Sequence, residues 1–240
     1  MNNTAKEDFL SGLRDGIPVG MGYLSVSFSY GVMAVNKGLP VWAAALISLS
    51  NLTSAGQFAG VTLIVAGASL AEMALTQLVI NIRYSLMSLS LSQKADGTMT
   101  LFHRLTASFV ITDEIFALAS QKPGAISRYY MYGVGLLPLI SWNLGSLLGA
   151  AASGVMPAAL RSSLNVALYA MFIAIIIPPA RQSRPVLFAV VAAAAGSLAL
   201  RYAPGLTRLS PGFAMILCAV LAALAAALLF PVKEAPRDDG

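Results

Sequence analysis

Residues 38–71 read GLPVWAAALISLSNLTSAGQFAGVTLIVAGASLA, a stretch of 34 positions without a Lys, Arg, Asp or Glu. As one helix, rising 1.5 Å per residue, it would run about 51 Å. The hydrocarbon core of a bilayer is only roughly 30 Å thick. The stretch is too apolar for a water-facing surface and too long for one crossing, so it must break, tilt or turn back. The break is expected at Asn51-Leu52-Thr53-Ser54-Ala55-Gly56-Gln57, where polar side chains and a glycine interrupt the apolar run.

The flanking sequence repeats the theme. Gly16–Asn36 is one uncharged run, Leu70–Ser92 a second that carries Arg83, and Leu101–Ser120 a third that carries Asp113 and Glu114. Tyr129–Leu160 again exceeds one span, with Pro138 and the Gly/Ser/Asn-rich stretch 141–154 as candidate kinks. Ser162–Ala180, Pro185–Leu200 and Leu209–Phe230 follow. The runs are continuous rather than alternating, which argues against a membrane barrel. The expected fold is therefore all-α: a polytopic integral membrane helical bundle of about seven or eight transmembrane helices, one or two of them broken. Seven applies if one run only dips in and returns. Residues 1–15 read as an amphipathic entry segment, 16–230 as the transmembrane domain and 231–240 as a polar tail.

Composition agrees. Of 240 residues, 58% are apolar and 10% charged, against about 45–50% and 25% in ordinary soluble domains. That excludes a typical soluble enzyme, a nucleic-acid-binding module and a disordered chain. The net charge of +5 comes from Lys and Arg scattered singly between apolar runs, as membrane topology requires. With eight spans and the N-terminus inside, Lys and Arg divide eight inside to six outside, which leaves orientation open. Cys218 is the sole cysteine and His103 the sole histidine. A disulfide, a thiol-pair or histidine-rich metal site and a Ser–His protease are thereby set aside, and no cofactor or metal is expected. Ser48, Asn51 and Phe58 recur as Ser162, Asn165 and Phe172, each 114 residues later, a faint echo of an internal repeat.

Ionisable residues inside a span cost at least about 2.5–3.5 kcal/mol each on insertion scales, so they mark function or pairing. Arg83 lies mid-span, and Asp113 with Glu114 lie past the middle of theirs. Adjacent helical positions differ by about 100°, so the two acids cannot face one point. One is expected to pair with Arg83 and the other to face a cavity or proton path, although a purely structural ion pair also fits. Asn51, Ser54 and, more loosely, Gln57 would line one helix face, with Gly56 permitting local unwinding. Exposed peptide groups there can hold the amine and carboxylate of an amino acid, or the polar side chains are interhelical glue. Trp142 is expected to pack. Tyr129, Tyr130 and Tyr132 read as an interfacial belt beside Arg128.

Gly12-Leu13-Arg14-Asp15-Gly16-Ile17-Pro18, Ala55-Gly56-Gln57-Phe58, Asn81-Ile82-Arg83 and Thr112-Asp113-Glu114-Ile115-Phe116-Ala117-Leu118 occur in that order. Together they resemble the large subunit of the branched-chain amino acid exporters, the azaleucine-resistance (AzlC) permease family. The resemblance runs from about residue 10 to 230, with its motifs in the first half. It implies export of branched-chain amino acids such as valine, and of methionine as a further candidate. It also implies a location in the cytoplasmic (inner) membrane of a bacterium, a small AzlD-like partner subunit and coupling to protons. Asn51, Ser54, Gly56, Gln57, Asn81 and Arg83 become the substrate-binding candidates, and Asp113 and Glu114 the proton-coupling or ion-pair candidates. One departure is visible: where the family pattern often has His after Asn-Leu-Arg, this chain has Tyr84, which does not titrate near neutral pH. A proton relay must then run through the carboxylates. The rival expectations are a passive channel for small solutes and an accessory assembly subunit.

Overall fold

The computed structural model describes residues 3–155, 157, 173, 176–202 and 210–231. Ser162, Asn165 and Phe172, hence the internal echo, lie outside the described residues, as do most of the run 162–180 and the tail from 232. Among the described residues the protein is all-α. It is a polytopic membrane protein with at least three membrane-spanning helices, Arg128–Ala152, Arg184–Tyr202 and Gly212–Leu229, each long and apolar enough to cross. The chain divides into a first unit, Met1–Gly67 with Ile80–Leu168, and a second, Ala68–Val79 with Tyr169–Gly240.

In the first unit, α1 (Asn3–Asn36) is long but more polar than the three spans. The chain turns at Gly38, whose φ of 99° suits glycine, and Pro40 opens α2 (Val41–Ser50). The long uncharged run breaks where expected, but over fewer residues. Asn51 is extended, and its Oδ1 accepts from Thr53 N at 3.1 Å and from Thr53 Oγ1 at 2.5 Å. The asparagine offers the backbone an alternative to helix. Helix α3 (Ser54–Val65) resumes at once, with Gln57 N donating to Thr53 O at 2.8 Å. Ser54, Gly56 and Gln57 are therefore helical, and the unwound backbone expected across 54–57 is confined to residues 51–53.

Helix α4 (Leu70–Gln93) begins in the second unit and continues into the first. The run 101–120 is a correction to the single span expected there. It forms two short helices, α5 (Leu101–Ser108) and α6 (Asp113–Gln121). Thr112 explains the restart: its side chain accepts from Ile115 N as an N-cap, and Asp113 and Glu114 place negative charge in the first turn. Both features stabilise a helix N-terminus. Helix α7 (Arg128–Ala152) starts on a Ser127 cap and runs unbroken through Pro138. The kink candidates in this run therefore do not divide it. Proline removes one helical hydrogen bond and frees the carbonyl of Val134, and that carbonyl faces Gly16 of α1.

Helices α1 and α7 pack in parallel. Gly12 meets Tyr130 and Val134, Gly20 meets Leu137 and Ser141, and Gly31 meets Ser146 and Ala150, so position rises together along both helices. Gly145 and Gly149 lie against Leu24 and Phe28 in return. Small residues let the two backbones touch, as in close membrane helix pairs.

Two half-length helical pairs fill the space around this axis. Lys37 Nζ, at the end of α1, donates to Thr62 Oγ1 of α3 at 2.9 Å. The α2–α3 segment thus leaves and returns at the same end, the Lys37 end. At the other end, Lys94 Nζ, just past α4, donates to Ser120 O at 2.7 Å and also to Lys122 O. Arg104 of α5 bonds Ser92 of α4, and Ala95 bridges Ile126. Both ends of the α5–α6 segment therefore lie beside the end of α4. Lys122 pairs with Asp8 at 3.1 Å, which puts the start of α1 there too, at the Asp8 end. The Ser127 hydroxyl, helped by the Lys122 ammonium, holds the Asp8 carboxyl below the usual carboxylate range despite its partial burial. Lys94 and Arg104 thus share an end with Lys122 and Arg128, whereas the eight-span count put them on opposite sides. Tyr130, read as part of an interfacial belt, is instead buried and donates to Asp15 Oδ2 at 2.9 Å.

In the second unit, α8 (Arg184–Tyr202) and α9 (Pro211–Leu229) pack together, with Phe188 and Phe230 rings 5.8 Å apart. Cys218 is half-buried near Gly196. Glu72, which the sequence reading passed over, is buried there. It accepts from Gly212 N at 2.8 Å and from the Ser210 hydroxyl, capping α9.

Candidate functional site

The tips of the two half-length pairs meet around Tyr23. This residue lies fifteen positions after Asp8 and fourteen before Lys37, so it is about 22 Å and 21 Å from the two ends of α1. Its hydroxyl is 2.6 Å from Thr112 Oγ1 and 2.5 Å from Glu114 Oε2, both at the start of α6. Its ring meets the Trp142 indole edge-on, with centroids 5.2 Å apart and planes at 75°. Trp142 Nε1 in turn donates to Gln57 Oε1 of α3 at 2.7 Å. A continuous series of contacts thus joins Gln57, Trp142, Tyr23 and Glu114 across helices α3, α7, α1 and α6.

Burial makes these polar contacts matter. Gln57 is fully buried and Trp142 is 2% exposed. An unpaired amide or indole N–H in such surroundings costs free energy, so each holds the other. Gln57 Nε2 makes no hydrogen bond of good geometry, though its side chain is close enough to the Tyr30 hydroxyl to interact. Trp142→Phe would leave Gln57 Oε1 without its donor. The variant is expected to lose about 1–3 kcal/mol of stability, read as a lower unfolding temperature in detergent, with Trp142→His retaining part of the loss.

Asp113 and Glu114 point to different helices. Arg83 Nη1 of α4 pairs with Asp113 Oδ2 at 2.6 Å, and its guanidinium lies 5.1 Å from the Tyr84 ring centroid. The side chains of Arg83 and Asp113 are 44% and 42% exposed. A half-open ion pair at this depth cannot face hydrocarbon cheaply. It belongs against a wet cavity or another protein surface.

Of the sequence candidates, Gln57, Arg83, Asp113 and Glu114 thus enter two neighbouring clusters linked by adjacent positions on α6. Gly56 is buried beside Gln57 on α3. Asn51 lies in the α2–α3 break, where it serves the backbone of Thr53, and Ser54 opens α3 directly after it. Asn81 is half-buried on α4, two positions before Arg83. Tyr23, Thr112 and Trp142 are additions. Trp142 carried a usable signal, an indole N–H in an apolar run that needs an acceptor, and so did Thr112, an N-cap residue ahead of two acids. Among the described residues no group of three or more His, Cys, Asp or Glu is placed to hold a metal.

The comparisons with known proteins bear on the same residues. The chain is 29% identical to the inner membrane protein YgaZ of Escherichia coli K12 over 197 residues, covering 78% of this chain and 80% of that protein. It is 30% identical over 149 residues to an uncharacterized membrane protein of Helicobacter pylori, covering 59% and 64% of the two chains. An uncharacterized membrane protein of Archaeoglobus fulgidus is 29% identical over 172 residues, covering 71% and 75%. No solved structure matches. The family described as AzlC protein matches residues 18–156. That range runs from before Tyr23 to beyond Trp142 and takes in both tips and both clusters; the chain belongs to the AzlC family.

Proposed function

We propose that this protein is the large subunit of a two-component secondary transporter that exports small apolar amino acids, branched-chain ones and methionine, by exchange with protons. The observation that carries the reading is the meeting of two helix breaks, at 51–53 and 109–112, around a carboxylate, Glu114, that makes no ion pair among the described residues. Discontinuous helices that meet near the midplane are how many transporters build a substrate site. The half-open Arg83–Asp113 pair offers opposite charges to a zwitterion, and apolar side chains around the tips suit an aliphatic side chain.

The proton has a structural consequence. With Glu114 ionised, Tyr23 O–H donates to it, Thr112 O–H donates to Tyr23, and Ile115 N–H donates to Thr112. With Glu114 protonated, its O–H donates to Tyr23 and Tyr23 donates to Thr112. The Thr112 proton then loses its acceptor, and its oxygen, the α6 cap, is shared between the Tyr23 O–H and the Ile115 N–H. Protonation thus acts on the tip of the α5–α6 hairpin, a bistable element of the kind alternating access needs.

In this reading the apolar runs 38–71 and 101–120 are re-entrant hairpins rather than full crossings. Among the described residues of the first unit, Lys6, Arg14, Lys94, Arg104, Lys122 and Arg128 gather toward the Asp8 end, Arg83 pairs with Asp113 between the ends, and Lys37 marks the other end. The positive-inside rule makes the Asp8 end cytoplasmic in a bacterial inner membrane. The exposed leucines and isoleucines of α4, among them Leu78, Ile82 and Leu86, are then covered by lipid or by the small AzlD-like subunit.

Efflux of preloaded labelled valine and methionine tests the reading, from cells with this chain, with and without the small partner and a proton uncoupler. Partner-dependent, uncoupler-sensitive efflux supports it. Flux that is neither saturable nor capable of counterflow would favour a passive channel. Unchanged efflux from cells lacking this chain but keeping its partner would favour an assembly role.

A further inference from the structure

A cavity of about 360 Å³ opens between the second half of α4 and the α5–α6 hairpin. Its size is at the lower end of small-molecule sites, roughly 300–1,000 Å³, enough for one small solute. Most of the wall is apolar, with Met99, Leu89 and Ile111 among the lining residues. One wall differs. Ser85, Ser88 and Ser92 of α4 line it at spacings of three and four, so they form a hydroxyl stripe along a single helix face. The stripe begins two positions from Arg83, and Ile111 lies two before Asp113.

Arg104 stands at the Asp8 end of this cavity. Its Nε donates to Met99 O at 3.0 Å, and its Nη1 donates to Ser92 Oγ. These bonds fix the guanidinium without neutralising it. No carboxylate lies within ion-pair distance among the described residues, and Nη2 donates to no protein acceptor there. An oriented, uncompensated guanidinium at the mouth of an apolar cavity is complementary to an anionic head on an apolar body.

We propose that this cavity is an entry site, separate from the Tyr23 cluster, in which Arg104 captures the carboxylate of a small apolar amino acid and the serine stripe of α4 accepts its ammonium. The assignment rests on the transporter reading above and adds where the substrate first binds. Arg104 is already held by Met99 and Ser92, so little of its side-chain freedom is lost on binding. The stripe offers hydroxyl oxygens at successive depths toward the Arg83–Asp113 pair.

The test uses the full chain in lipid nanodiscs, with Cys218→Ala as background and Leu89→Cys, on the apolar wall of the cavity, as the reporter, labelled by a small charged thiol reagent. L-leucine is expected to slow labelling, and L-leucinamide, which lacks the carboxylate, is not. Adding Arg104→Gln should raise the half-protecting leucine concentration about tenfold or more, the loss of one charge-assisted pair, while Arg104→Lys keeps part of the protection. Equal protection with Arg104→Gln, or by leucinamide, overturns the proposal. So does slowing that follows the phosphatidylglycerol content of the disc with no leucine effect, which would make the cavity a lipid site. Failure of leucine to protect in a chain that exports leucine overturns the entry site alone. Failure to protect in a chain that neither binds nor exports it overturns the transporter reading as well.

Discussion

Glu114→Gln is expected to abolish proton-driven amino-acid efflux while leaving the protein folded. The amide keeps the size of the carboxyl group, and its oxygen still accepts from Tyr23, at the 2.5 Å separation the carboxylate now has. What it loses is the proton. A switch that moves a two-state equilibrium from 1:99 to 99:1 must supply about 5.5 kcal/mol of differential binding. Without it the disfavoured state stays near one part in a hundred, so net efflux should fall on the order of a hundredfold. Exchange of labelled for unlabelled amino acid need not move a net proton and should survive. Tyr23→Phe should give a milder loss, because Glu114 keeps its carboxyl group but no longer reaches Thr112 through the tyrosine hydroxyl. The check is efflux against exchange in proteoliposomes with an imposed pH gradient. Gradient-driven efflux that Glu114→Gln leaves intact would remove this carboxyl from the coupling.

The second large effect concerns the ion pair. Arg83→Gln is expected to lower the yield of folded protein, and Asp113→Asn nearly as much, whereas the two together should recover much of it. Removing one member of a fully buried pair costs about 3–5 kcal/mol, chiefly because the other charge is left uncompensated. This pair is half open, so solvent screening puts its cost below that range. Recovery of folding in the double variant without recovery of transport would separate the two roles. Folded yield by size-exclusion chromatography and efflux by labelled valine give the two readouts. Full yield and full transport from Arg83→Gln alone would mean the pair is dispensable.

Much of this was legible in the residues. The uncharged stretch 38–71 announced a break, because a helix of that length does not fit a bilayer, and Asn51 supplied the side chain that makes it. Arg83 and the adjacent acids announced a pairing, because charge at mid-depth needs a partner. The residue within the acidic pair was not legible, since either carboxylate could turn toward α4. The second break, at 109–112, was hidden for a physical reason. Phe109, Val110 and Ile111 are as apolar as any helix interior, so nothing in hydropathy marks a turn there. The signal was Thr112 followed by two acids, an N-cap pattern set inside an apolar run. Counting charges loop by loop separated Lys94 and Arg104 from Lys122 and Arg128 for the same reason, since the unmarked break brings both ends of the segment beside the end of α4. Tyr23 gave no signal, because a tyrosine within α1 reads as filler until Thr112 and Glu114 are brought against it. Pro138 misled in the other direction: α7 tolerates it where α1 presents glycine to the freed carbonyl.

The account stands or falls on the two hairpins entering from opposite ends. Single cysteines at Pro40, Ala66, Gly97 and Ala125, each in a Cys218→Ala background, bracket the two segments at solvent-exposed positions. They are to be labelled in intact cells with a membrane-impermeant maleimide. The predicted result is that Pro40→Cys and Ala66→Cys react in intact cells, while Gly97→Cys and Ala125→Cys react only after permeabilisation. Opposite accessibility within either pair would mean that the segment between them crosses the membrane, and the opposed-hairpin site would be wrong.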